Sequence, residues 1–162
     1  MNPMIEHLQM LLIRDLKAFV KEIESFPDDE TLWSTIPGIS NPAGNLALHV
    51  AGNLQYFVGA LLGGSGYTRD RDREFRRRSG SREEVIQELA RALHAVETVI
   101  PQLTEQVLLR EYPIAVDGKR YPTNVFLLRL NVHLTYHLGQ VNYLRRALIH
   151  GRGVLRGNGL AS

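Results

Sequence analysis

His133 and His137 stand four residues apart in a stretch with helical spacing. At that interval both imidazoles project from one face of a helix. The spacing suits two ligands of one ion, as in the helices of zinc proteases, although no glutamate follows His133 and the protease motif is absent. Arg129 lies one turn before His133, and Gln140 follows it by two turns. The helical period places Arg129, His133, His137 and Gln140 within about 80° of arc. A third histidine, His49, lies in the apolar run Asn45-Leu46-Ala47-Leu48-His49-Val50-Ala51-Gly52-Asn53. An imidazole buried there without a partner costs free energy, and a metal ion supplies that partner. Asn45 and Asn53 flank His49 by one turn on the same face, where either could hydrogen-bond a ligand or a bound water. Spacing alone leaves a second reading open, in which these histidines only hydrogen-bond within a core or an interface. His7, His94 and His150 stand alone near polar residues and read as surface or partly buried.

Three neutral imidazoles suit zinc, nickel, iron or copper as divalent ions. Three protein ligands leave a coordination position open, the feature that separates a catalytic site from a structural one. Water or a thiol at that position loses its proton more easily. The chain has no cysteine, so a thiolate would come from a low-molecular-weight thiol. No Asp or Glu falls on either ligand stripe, which speaks against hydrolysis more than against thiol transfer.

Four helices must position these residues. The first spans roughly Pro3 to Phe26, with Leu8, Leu11, Leu12, Leu16, Phe19, Ile23 and Phe26 at intervals of three and four. The second opens at Ser40-Asn41-Pro42 and runs to about Leu62. It is apolar on most sides, and Gly52 and Gly59 inside it suggest that another helix packs close. The third follows the capping box Ser81-Arg82-Glu83-Glu84 and ends at Pro101. The last runs from near Thr123 to about Ile149 and is apolar nearly all round, so it is central or also faces a partner subunit. If the second and last helices run the same way, their histidines are offset by one or two turns, about 5.4 Å each. Two short extended pieces around Asp117-Gly118 predict a small β-hairpin between the third and last helices. The fold class is therefore all-α, a four-helix bundle with long connections over residues 1–150, and the glycine-rich residues 151–162 read as a flexible tail.

The 162 residues suit one domain, and 44% of them are hydrophobic. The N-terminal segment is amphipathic and broken by charges, so it does not read as a signal peptide. No apolar run approaches the ~18 residues that span a bilayer. A cytoplasmic protein without a membrane partner is expected. The net charge of +2 is too small to argue a nucleic-acid partner. The run Tyr67 to Arg78 carries six arginines against three acids and reads as a solvated loop with at most a helical turn. Arg73 or a neighbour could reach from it to a substrate carboxylate. Trp33, Tyr56 and Tyr136 read as core aromatics, with Tyr136 the exception that adjoins His137.

Leu46-Ala47-Leu48-His49 paired with His133-Leu134-Thr135-Tyr136-His137-Leu138-Gly139-Gln140 resembles the DinB-like superfamily. Its members are metal-binding four-helix bundles related to YfiT-type proteins and bacterial thiol transferases. The resemblance implies that His49, His133 and His137 are the metal ligands and that the second and last helices are neighbours. It implies frequent homodimers. It also implies a metal-dependent transferase that joins a low-molecular-weight thiol to a small electrophile, with zinc or nickel as the leading ions. Asn53 and Gln140 would orient ligands or substrate, with Arg129, Tyr136 and Arg73 as further substrate contacts. A non-catalytic binding bundle and a metal-dependent hydrolase are the alternatives.

Overall fold

The computed structural model describes residues 2–157. Helix α1 (Pro3–Glu24) is capped by Asn2, whose side chain accepts from the Met4 N–H at 2.9 Å. Its expected stripe is buried through Leu8, Leu12, Leu16, Phe19 and Ile23. A one-turn helix, α2 (Asp29–Leu32), interrupts the expected connection, capped by Asp28. Helix α3 (Ala43–Leu54) continues as a π-helical stretch over Gln55–Ala60. The charged run 67–78 is not all loop: it folds as α4 (Arg71–Arg76). Helix α5 (Arg82–Val99) has the Ser81/Glu84 capping box with both hydrogen bonds formed, and it ends in a 3-10 turn at Pro101. Short α6 (Glu105–Leu109) precedes the long α7 (Thr123–Gly157). Helix α7 thus passes the expected end at Ile149 into the glycine-rich segment, and residues 158–162 of the expected tail lie outside the described residues.

Helices α1, α3, α5 and α7 form the bundle. Each of α1 and α3 packs against both α5 and α7. Side-chain pairs fix the directions. Asp15 meets Asn131 and Thr135 while Glu22 meets Asn142 and Arg145, so α1 and α7 are parallel. Gln55 meets Glu88 and Gly59 faces Ala95, so α3 and α5 are parallel. His49 meets His133 and Phe57 meets Phe126, so α3 and α7 are antiparallel. The same-direction alignment of these two helices is therefore incorrect, and the histidines come level without any stagger. Parallel neighbours cannot be joined by a tight turn. The chain between α3 and α5 must return along the bundle, and this crossover carries α4 over the outside of α3.

The expected hairpin is reduced to two isolated antiparallel bridges, Glu111 with Pro122 and Val116 with Lys119. Its turn is as expected. Asp117 and Gly118 have φ of 52° and 72°, the pair of left-handed residues that a type I′ turn requires. No regular strand forms among the described residues, and Tyr112 and Tyr121 pack beside Phe126.

Candidate metal centre

Helix α7 presents His133 and His137 from one face, and antiparallel α3 presents His49 opposite them. His133 Nε2 lies 3.1 Å from His49 Nε2 and 3.1 Å from His137 Nε2. The donor atoms of all three lie within 4.8 Å of one another. Imidazole nitrogens bound tetrahedrally to one ion at 2.0–2.1 Å are about 3.3 Å apart, so the observed spacing fits an ion between them.

The opposite ring nitrogens explain why the Nε2 atoms face inward. His49 Nδ1 lies 3.0 Å from Glu74 Oε2 and 3.1 Å from Arg69 Nη2. The ionised carboxylate can only accept, which sets Nδ1 as the donor to it, and the Gln140 Oε1 at 2.7 Å sets His137 Nδ1 likewise. Protons held on Nδ1 leave both Nε2 atoms as bare acceptors. His133 can donate from Nε2 to only one of them. At least one close pair is then acceptor against acceptor, and a cation at the centre resolves the conflict for all three. Burial pushes His133 down to about 4, with His137 and His49 adding to the shift. Burial likewise lowers His137, although its bond with Gln140 acts the other way. These two rings are neutral at pH 7, the protonation state that a metal requires.

Glu74 is the residue of this cluster that sequence reasoning missed. It is buried on α4 and lies over Gly52, where a Cβ would collide with its carboxylate. Both glycines meet a close helix, as the sequence suggested: Gly52 admits the Glu74 carboxylate of α4, and the would-be Cβ of Gly59 lies 3.3 Å from Ala95 Cβ of α5. Arg69 grips both Glu74 oxygens, at 2.8 and 2.9 Å. Burial raises the Glu74 carboxyl, and the bonds from His49 and Arg69 more than offset this, so it stays below its ordinary value and ionised. Asn45 pins the crossover by donating to the carbonyls of Glu74 at 2.6 Å and Arg77 at 2.7 Å. Phe75 covers the His49 ring at 4.7 Å. The chain thus builds a carboxylate–histidine arrangement of the kind that orients metal ligands. Asn45 and Gly52, a polar group and a notch on an apolar helix, were its signals in the sequence.

The other anticipated residues divide. Gln140 grips His137. Asn53 is buried, and its Oδ1 has no hydrogen-bond partner among the described residues. Tyr136 is exposed, with its ring 5.4 Å from that of His137. Arg129 turns away from the histidines, lying 3.9 Å from Asp117 and over the Tyr121 ring. Arg73 lines a separate cavity behind Glu74, and from the arginine-rich run it is Arg69 that reaches the centre. Trp33 packs over Gly44 and donates to the Gly80 carbonyl at 2.7 Å.

A helical bundle with three convergent histidines on α3 and α7 defines a DinB-like protein with a candidate metal site. The chain belongs to the family described as "Protein of unknown function (DUF1572)", a DinB-like family whose model matches residues 4–152. A crystal structure of a DinB-like protein from Bacillus cereus ATCC 10987 has a TM-score of 0.68 to this chain. It is 20% identical, over 87% of this chain and 90% of that one. No curated protein matches. Among the described residues no helix is long and apolar enough to cross a membrane.

Proposed function

We propose that this protein is a metal-dependent transferase that joins a low-molecular-weight thiol to a small electrophile. His49, His133 and His137 hold the ion, with zinc or nickel as the leading choices among the divalent metals that three neutral imidazoles suit. The observation that supports this most directly is the cluster of Nε2 atoms whose partner nitrogens are engaged by Glu74 and Gln140. A divalent ion there supplies Lewis acidity at an open position and lowers the pKa of a thiol. Glu74 and Gln140 orient the rings. Asn53 Oδ1, one turn from His49, is a buried acceptor without a partner among the described residues. Glu74 bonds the Nδ1 side of His49, away from the convergent nitrogens, and is thus poorly placed as a general base for hydrolysis. A cytoplasmic setting, where small thiols stay reduced, fits this chemistry.

Cobalt-loaded protein tests the thiol step. Addition of a small thiol is expected to produce a sulfur-to-cobalt charge-transfer band that a His133→Ala variant lacks. Absence of the band across the common small thiols would contradict the assignment.

The protein also pairs as a homodimer through the outer face of α7. Val125, Leu128, Val132, Tyr136 and Tyr143 are all exposed. Their spacings of three, four, four and seven align them along one stripe, and exposed apolar stripes of this kind commonly mark subunit contacts.

A further inference from the structure

Ile36-Pro37-Gly38-Ile39 forms a tight turn. The Ile39 N–H donates to the Ile36 carbonyl at 3.0 Å, and Gly38 has a φ of 85°. Pro37 supplies the fixed φ of the second position and Gly38 the left-handed third, the pair that a type II turn favours. The turn sets Ile36 and Ile39 against the C-terminal half of α7. With Leu46, Tyr143, Leu144 and Ala147 they line a cavity of about 440 Å³, within the range of small-molecule sites. Ser40, Asn41 and Gln140 supply its polar lining, and no charged side chain lines it among the described residues.

The cavity stands in a defined relation to the histidines. Leu46 precedes His49 by one turn on α3, and Gln140 follows His137 by one turn on α7. Because the two helices are antiparallel, both steps lead toward the same end of the bundle. The cavity thus begins about 5.4 Å along the axis from the three Nε2 atoms. Gln140 belongs to both places: its Oε1 accepts from His137, and its side chain lines the cavity. At the mouth, Ile39 is 46% exposed, apolar surface that a bound group would cover.

We propose that this cavity takes the apolar tail, a short alkyl or aryl group, of a small molecule whose polar head meets the ion. The proposal rests on the metal-centre reading above. The test uses zinc-loaded full-length protein titrated calorimetrically with alkyl hydroxamates of increasing chain length, the hydroxamate being a metal-chelating head. Affinity is expected to rise about fourfold per buried methylene from acetohydroxamate to hexanohydroxamate. Ile39→Asp and, as a second variant that fills the cavity, Ala147→Trp are expected to abolish that rise and leave acetohydroxamate binding unchanged. If acetohydroxamate binds but the series is flat in the wild type, the tail site is overturned and the metal centre stands. If the protein holds no zinc and acetohydroxamate does not bind, the metal-centre reading fails and the tail site fails with it. A flat series together with a changed mass of Ile39→Asp in light scattering assigns the groove to a second copy of the chain and also overturns the proposal.

Discussion

Which nitrogen of each imidazole carries the proton decides whether three adjacent histidines form a hydrogen-bonded cluster or a metal site. Glu74 and Gln140 make that choice for His49 and His137. The histidines themselves were legible, since the i, i+4 pair and the lone histidine in an apolar run are local signals. Glu74 was not legible. It lies in a run of alternating charges with no periodicity, and only the path of the crossover turns it inward. Its role gives a sharp expectation. Glu74→Gln removes the charge behind His49 and half of the Arg69 ion pair, so zinc affinity should fall roughly 10- to 100-fold, the usual effect of losing such a partner. A chelating-dye competition measures this, with circular dichroism to verify the helices. Unchanged affinity would mean that Glu74 only fills space.

Each main helix was visible as a period of apolar residues, and the Ser81/Glu84 capping box and the Asp117-Gly118 turn formed as their chemistry requires. Helix direction was not visible. Nothing local in α3 or α7 states that they run antiparallel, because orientation is set by how the 61–81 connection crosses the bundle. The short helices α2 and α6 were missed, since four or five residues carry too little periodicity to register, while α4 is the helical turn that the 67–78 run allowed. The contact between α3 and α4 can be tested at Gly52. Helix propensity alone would make Gly52→Ala stabilising by about 1 kcal/mol. The collision with the Glu74 carboxylate costs about 1–3 kcal/mol as overpacking. The variant is therefore expected to show no gain in Tm and a loss of zinc affinity resembling that of Glu74→Gln. A higher Tm with full zinc affinity would contradict the close approach of α4.

Taken whole, the molecule places its three convergent histidines between two antiparallel helices, roofs them with a crossover, and leaves the outer face of α7 apolar. The all-round apolar character of the last helix was apparent from sequence. The structure divides it into a buried side with Leu127, Leu130, Leu134 and Val141 and an exposed stripe. A dimer is expected in solution at micromolar concentration, and Val132→Glu at the middle of the stripe should produce monomers, as read by light scattering. A monomeric wild type would remove the stripe from consideration as a subunit contact.

The most direct measurement is the metal content of purified protein, reconstituted with zinc or nickel and dialysed, beside a His137→Ala variant treated identically. Close to one ion per chain in the wild type is predicted, with most of it lost in the variant while helicity is retained. Equal metal content in the two proteins would contradict the metal centre.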